Sequence, residues 1–124
     1  MGFKIIQQNL SKKKFETSVL LPIREDKRVF KLLECLSKQK YKDFVFMVAN
    51  DSKKPYLKKE DFPNNLNYLY YYSDEEKYST FDKLNFLAGK IKTPYAAITE
   101  SDCEPSSNWL SDLIPIVKKE KGVV

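Results

Sequence analysis

Two carboxylates flank a serine directly after an apolar run. The run covers residues 94–98, and the following segment 99–105 contains Glu100, Ser101 and Asp102. Carboxylate oxygens at alternate positions of a strand end can share a hard divalent cation, which leaves other coordination positions open for phosphate oxygens. A solvated turn that leads into a helix is the alternative interpretation of the same pattern.

Composition narrows the chemistry that this chain can perform. Its 124 residues are the size of one domain, and none of them is histidine. Imidazole bases, histidine metal ligands and histidine-based triads are therefore excluded, which leaves acid, base or metal chemistry to carboxylates. Lys and Arg number 22 against 17 Asp and Glu, and this moderately basic balance suits an anionic partner.

Neither the N-terminal sequence nor the cysteine content indicates an exported protein. Cys35 and Cys103 are the only cysteines, and the sequence shows no secretory leader. No apolar run approaches the roughly 20 residues that a membrane-spanning helix needs. We therefore expect a reduced, cytoplasmic protein without a transmembrane segment.

Apolar runs of strand length recur along the chain. The run 44–49 is continuously apolar and too short for a helix, as is typical of a central parallel strand. The run 66–72 is rich in aromatic residues, and Pro22 ends the run 18–22. The predicted strands cover residues 18–22, 44–49, 66–72 and 94–98, with a further strand beginning at 122–124.

Helical periodicities lie between these strands. Apolar spacings of three and four residues predict helices over 26–39 and 81–91, and Ser79 or Thr80 can cap the second. A third helix should open at Ser106 or Ser107, with Pro115 kinking or breaking it. Strands that alternate with helices predict an α/β domain with a mostly parallel sheet.

The first seventeen residues have no clear relation to this alternation. A strand is possible at 3–6, but we interpret 1–17 as an extension of uncertain structure. The α/β pattern begins at residue 18. The predicted domain therefore covers 18–124.

The order of the motifs resembles that of family 2 glycosyltransferases. In the family's opening, a strand ends in Pro, a helix ends in Gln-x-Tyr-x-x-Phe, and a second strand ends in an acidic pair followed by Gly or Ser. The similar segments here are 18–22, 33–44 and 48–52. Residues 83–85, 93–95 and 100–105, followed by Trp109 and Leu110, are similar to the family's next helix, fourth strand and metal motif.

The resemblance implies a GT-A fold, which is a Rossmann-like sheet flanked by helices. Such a fold binds a nucleotide-diphosphate sugar in the crevice at the carboxyl ends of its strands. In the family, the acceptor pocket and the catalytic base come from segments beyond the metal motif. By this resemblance the chain corresponds to the nucleotide-sugar-binding half of a truncated domain, and its catalytic base is unknown.

The resemblance also implies which residues bind the nucleoside. The loop beside the base would be formed by Pro22, Ile23, Arg24 and Glu25. Asn50 and Asp51 match the acidic pair that reads the nucleoside, with Asp51 as an acceptor at the mouth of the crevice. Because Asn50 replaces the usual first aspartate with an amide that both donates and accepts, the preferred base stays open.

Other residues would contact the diphosphate and the metal. Lys83 matches a basic position that faces the diphosphate, although an ordinary solvent-facing lysine is an equal alternative. Glu100 takes the first place of an Asp-x-Asp motif and contacts ribose or metal, Ser101 lies between, and Asp102 is the metal ligand. The implied cofactor is Mn²⁺ or Mg²⁺.

The implied reaction is transfer of a sugar from a UDP- or GDP-sugar to an acceptor hydroxyl, with inversion at the anomeric carbon. A nucleotide-sugar-binding half domain without turnover is the alternative, and a nucleic-acid-binding module is disfavoured because the tyrosines at 68 and 70–72 follow strand spacing. Since later strands would normally cover the sheet edge, we also expect a homodimer or a partner chain.

Overall fold

The computed structural model describes residues 2–120, and a five-stranded sheet forms their centre. The strands are β1 (Lys4–Asn9), β2 (Thr17–Ile23), β3 (Phe44–Asp51), β4 (Tyr68–Ser73) and β5 (Tyr95–Ile98). The helices are α1 (Val29–Ser37), α2 (Thr80–Ala88) and α3 (Trp109–Lys119), with a short 3₁₀ turn at Lys59–Asp61. Strand order is β1-β4-β3-β2-β5.

Four of these strands run parallel. β3 pairs with β2 and with β4, and β2 pairs with β5, all in parallel register. Every residue of β3 is buried, as expected for the central strand of a sheet covered on both faces. The α/β class and the mostly parallel sheet are confirmed. Parallel pairing also brings the carboxyl ends of β2, β3, β4 and β5 to one edge.

The N-terminal segment joins the same sheet. β1 lies antiparallel to β4, from Lys4 opposite Tyr72 to Asn9 opposite Tyr68, with an irregularity between Ile5 and Gln7. A strand was only one possibility at 3–6, and its partner could not be predicted, because this edge strand pairs with residues that are distant in the sequence. β1 therefore gives β4 a neighbour on its outer side.

Helices cover the two faces of the sheet unequally. α1 and α3 pack on the face formed by alternate residues such as Val19, Phe46 and Val48. α2 packs on the other face, where its Leu87 meets a core that includes Met47. A cavity of about 1200 Å³ opens on this second face, and its mostly apolar lining also includes Lys13, Lys14, Lys90 and Lys92.

Local capping sets the start of α2, whereas α1 and α3 begin without a side-chain cap. Ser79 is the N-cap of α2, because its hydroxyl accepts from the Asp82 amide while the Asp82 carboxylate accepts from the Ser79 amide, both at 3.0 Å. α1 begins at Val29, three residues later than predicted, since a turn from Asp26 precedes it.

α3 departs from its predicted form in two respects. Its N-cap is Asn108, so the predicted opening at Ser106 or Ser107 is wrong. Pro115 lies inside α3 and does not end it, so the predicted break is wrong; the proline only leaves the Ser111 carbonyl, four residues earlier, without its helical donor. The strand predicted at 122–124 falls outside the described residues.

Among residues 2–120, every helix is too short or too polar to traverse a lipid bilayer. A cytoplasmic location stays a prediction.

Candidate active site

The carboxyl edge of the sheet brings together four segments that are distant in the sequence. They are the loop after β2, the end of β3, the start of α2 and the segment 99–105 after β5, which we call the acidic turn. Register explains the meeting, since Ile23 pairs with Asn50 and Leu20 pairs with Ile98 in parallel strands. This is the edge at which open α/β sheets bind ligands.

Asp51 is the electrostatic centre of the first part of this edge. Its carboxylate is fully buried, and it is ion-paired with Lys83 Nζ at 2.5 Å and with Arg24 Nη2 at 2.6 Å. Arg24 Nε donates at 3.2 Å to Oδ1, the oxygen that Lys83 contacts. The Tyr78 amide donates at 3.0 Å to Oδ2, the oxygen that Arg24 Nη2 contacts. Both carboxylate oxygens are therefore fully engaged within the protein.

Burial and charge act in opposite directions on the Asp51 carboxyl. Burial raises its pKa, but hydrogen bonds from Arg24 and Lys83 outweigh that effect, so the pKa lies below its ordinary value. Two cations around one buried carboxylate compensate the cost of removing it from water. The expectation that Asp51 lies at the mouth of the crevice is therefore wrong.

Lys83 is equally well buried. Only 4% of its surface is exposed, and besides its ion pair with Asp51 its ammonium donates to the Ile23 carbonyl at 3.4 Å. An ordinary solvent-facing lysine is thus excluded. Lys83 connects α2 to the ends of β2 and β3.

The Asn50 side-chain amide is hydrogen-bonded to groups of the surrounding protein. Its Nδ2 donates to the carbonyls of Ile23 and Arg24, at 3.3 and 2.8 Å, while its Oδ1 accepts from the Tyr70 hydroxyl at 2.6 Å and the Tyr56 amide at 3.0 Å. A carboxylate could not donate to these carbonyls. The amide therefore suits this position better than the aspartate that is usual in the resemblance.

The loop after β2 presents two charged side chains to solvent. The Arg24 side chain is 44% exposed although Asp51 and the Tyr78 carbonyl hold its guanidinium, and Glu25 is exposed. Pro22 and Ile23, which were predicted in this loop, are instead the last two residues of β2, where Pro22 is half-buried and Ile23 is buried. Arg24 and Glu25 are thus the side chains of this loop that a ligand can reach.

The acidic turn is anchored to β2 but leaves its carboxylates in solvent. The Thr99 amide donates to the Leu20 carbonyl at 2.9 Å, and the Cys103 amide closes the turn on the Glu100 carbonyl at 3.0 Å. Glu100 is exposed, and the Asp102 side chain is 46% exposed. These oxygens are accessible to a ligand.

Asp26 belongs to this site although the sequence interpretation did not include it. Its carboxylate accepts from the Ser101 hydroxyl at 2.6 Å, so it joins the loop after β2 to the acidic turn. Hydrogen bonds from Arg28, and then from Ser101, hold the Asp26 pKa well below its usual range. An acidic residue two positions before an arginine was the available signal, and it indicates a local pair rather than the contact with Ser101.

Gln39 fixes the far end of the acidic turn. Its side chain is fully buried, and Nε2 donates to the Ser106 carbonyl at 2.7 Å while Oε1 accepts from the Leu110 amide at 3.1 Å. The Lys40 amide adds a bond to the Ser107 carbonyl at 2.9 Å. The residues that directly follow α1 therefore hold the start of α3 in place.

The donor set at the acidic turn fits one type of metal site. Within residues 2–120, no three His, Cys, Asp or Glu side chains cluster as a metal centre. Glu100 and Asp102 supply oxygen donors, and both are exposed. Mg²⁺ commonly takes one or two carboxylates and completes its shell with water and substrate phosphates. The two carboxylates thus fit a cation whose remaining ligands are oxygens of water and of a diphosphate.

Comparison with known proteins identifies a similar fold. No protein-family model matches the sequence, and no curated protein matches it. A crystal structure of S. aureus TarS, a glycosyltransferase, is similar with a TM-score of 0.71 and 18% identity over 85% of this chain. The chain therefore shares the fold of the matching part of that structure.

A second structure, of S. aureus TarS 1-349, gives a TM-score of 0.72 and 19% identity, again over 85% of this chain. The chain spans 20% of the first TarS structure and 33% of the second. At these identities the likeness concerns the fold, and the roles of individual residues stay predictions.

Proposed function

We propose that this chain is the nucleotide-sugar-binding part of a glycosyltransferase that uses a UDP- or GDP-sugar. The main support is that exposed Arg24 and the exposed carboxylates Glu100 and Asp102 all follow strands that end at the same carboxyl edge of the parallel sheet. The likeness of the fold to that of TarS, a glycosyltransferase, supports a nucleotide sugar as the ligand of this edge.

The proposed nucleoside site lies along the loop after β2. Arg24 and Glu25 offer a donor and an acceptor to the base or ribose, and Pro22 and Ile23 form the backbone beside it. Asn50, Asp51 and Lys83 act behind this loop, because their polar groups hold its carbonyls and the Arg24 guanidinium. Their contribution to binding is preorganisation of the loop.

The proposed diphosphate site lies at the acidic turn. Asp102 and Glu100 would hold Mn²⁺ or Mg²⁺, and Ser101 keeps the turn against the loop after β2 through Asp26. When bound, such a cation neutralises the charge that develops on the leaving diphosphate. The transfer would go to an acceptor hydroxyl with inversion, by the family resemblance, and the acceptor base is not assigned to any described residue.

Calorimetric titration of UDP and GDP, with Mn²⁺ or with EDTA, tests the proposal. We expect one nucleotide to bind at least about tenfold more tightly with Mn²⁺, and Asp102→Asn to remove most of that gain. Glu104→Gln is the matched control, since it removes an exposed charge from the same turn. Equal nucleotide affinity in EDTA would exclude metal-dependent binding.

Binding without turnover is the second candidate function. It is favoured because the exposed side chains of the site, Arg24, Glu100 and Asp102, are all assigned to binding the nucleotide sugar. Incubation with a UDP- or GDP-sugar distinguishes the two, because an enzyme releases nucleotide faster when an acceptor is added. Sugar binding without acceptor-stimulated nucleotide release would assign the chain to the second candidate.

We also propose that two copies associate through the β5 edge. In the described part of the chain β5 pairs with β2 alone, and Ile98 is 61% exposed beside that open edge. Edge strands with exposed apolar side chains pair readily with another chain. We expect a dimer by sedimentation velocity that Ile98→Lys dissociates; a monodisperse monomer at high concentration would contradict this.

A further inference from the structure

Arg28 is exposed but does not move freely. Its side chain is 64% exposed, yet Nε contacts both oxygens of Asp26, at 2.9 and 3.2 Å, and Nη2 adds a contact at 2.8 Å. Its backbone amide also donates to Asp26, at 3.0 Å. A guanidinium held by a carboxylate in this forked manner keeps one orientation.

The carboxylate that holds Arg28 is itself fixed to the acidic turn. Asp26 accepts from the Ser101 hydroxyl at 2.6 Å, across 75 residues of sequence. Ser101 lies between Glu100 and Asp102. The position of the guanidinium is therefore set relative to the two proposed metal ligands, although Arg28 comes from a different strand connection.

The remaining end of the guanidinium faces Asp102. Nη1 lies 3.6 Å from Asp102 Oδ2, too far for a hydrogen bond but within ionic contact. Both side chains are substantially exposed, so the contact is weak and readily exchanged for a stronger one. A cationic side chain of the protein itself thus lies beside Asp102.

We propose that Arg28 is the counterion of Asp102 until a metal-nucleotide complex binds, and that it then becomes a ligand of the diphosphate. The inference rests on the proposed function. A metal alone must displace Arg28 and leave it without a second anionic partner, whereas a metal that arrives with a diphosphate provides that partner. Arg28 thereby makes metal and nucleotide binding mutually dependent, and this dependence is reciprocal by linkage.

Electron paramagnetic resonance titration of Mn²⁺, alone and with saturating UDP or GDP, tests the inference. For Arg28→Gln we expect Mn²⁺ alone to bind about three- to fivefold more tightly, the range expected for loss of an exposed competing ion pair. With Mn²⁺ saturating, we expect the nucleotide to bind about tenfold more weakly, because a charge-assisted contact to phosphate is lost. Misfolding would weaken both.

Two further variants isolate the effect. Lys27→Gln removes the same charge from an exposed position next to Arg28, and we expect it to leave both affinities near those of the wild type. Arg28→Lys keeps the charge but loses the fork, so it should restore only part of the nucleotide affinity.

The outcomes separate failure of this inference from failure of the proposed function. If wild-type protein binds neither Mn²⁺ nor either nucleotide, the proposed function is wrong. If it binds both but Arg28→Gln behaves as Lys27→Gln does, the function stands and the role of Arg28 is wrong. Weaker Mn²⁺ binding in an Arg28→Gln protein that unfolds at the wild-type temperature would show that Arg28 builds the metal site rather than competing for it.

Discussion

Two aspartates at the same edge of the sheet have opposite environments. Asp51, at the end of β3, is fully buried and contacts two cations and a backbone amide. Asp102, in the turn after β5, is 46% exposed and has one ionic contact of 3.6 Å. Both belong to motifs that the family resemblance associates with ligand binding.

The difference separates a carboxylate that supports the fold from a carboxylate that is able to bind a ligand. A carboxylate whose oxygens are all engaged by the protein has no capacity for a ligand, but its loss disturbs everything it holds. A carboxylate that is weakly engaged and exposed can accept a metal, and its loss disturbs little else. Under the proposed function, a motif match thus gives the location of the site, while the local contacts decide which residue acts there.

Removal of Asp51 should have the largest effect on stability. In Asp51→Ala, the buried ammonium of Lys83 and the guanidinium of Arg24 lose their shared counterion. We expect the free energy of unfolding to fall by about 3–5 kcal/mol, as for other broken buried ion pairs. Urea denaturation measures it, with Asp74→Ala, an exposed aspartate after β4, as control. A loss below about 1 kcal/mol would contradict the burial argument.

Asn50→Asp should have the next largest effect. The substitution replaces an amide donor with a carboxylate that faces the carbonyls of Ile23 and Arg24. Unpaired and repelled acceptors of this kind cost about 1–3 kcal/mol in stability. Urea denaturation at neutral pH measures the change. Unchanged stability would show that the family's usual aspartate is equally compatible with this backbone.

The stabilisation from Asp51 should depend on pH. Its pKa in the folded protein lies below the ordinary value of 3.8, so its contribution is present above pH 3.8 and is lost as the pH falls through the folded value. The stability difference between wild type and Asp51→Asn should therefore shrink as the pH is lowered from 7 to about 2. A difference that stays constant over that range would contradict the ion-paired state.

Asp102→Asn should have the smallest effect on stability. The residue is half exposed and its contact with Arg28 is long, so we expect a change within about 0.5 kcal/mol. Thermal and urea unfolding without nucleotide measure it. A loss comparable to that of Asp51→Ala would remove the distinction between the two aspartates.

The sheet and its helices were largely predictable because periodicity reports burial directly. The run 44–49 is apolar because β3 is covered on both faces, and the spacing of Val29, Leu32, Leu33 and Leu36 reports one buried helical face. The N-cap of α2 was also predictable, since Ser79 and Asp82 interact within one helical turn.

The arrangement of charges was not predictable, because it depends on long-range register. Lys83 is buried because α2 brings it to Asp51, 32 residues earlier in the chain. Asp26 meets Ser101 because β5 lies beside β2. The start of α3 was mispredicted for the same reason: local serines suggested a cap, whereas Gln39 of the preceding helix connection bonds to the Leu110 amide.

The Gln39 contacts have a consequence for the motions of the acidic turn. The turn is tied to β2 by the Thr99 amide, to Asp26 by the Ser101 hydroxyl and to the segment after α1 by Gln39, while the side chains of Glu100 and Asp102 lie in solvent. In hydrogen-exchange terms, the Thr99 and Leu110 amides should exchange only with global unfolding, and that of Asp102 should exchange at once. The turn can thus adjust its carboxylates around a cation without loosening the sheet.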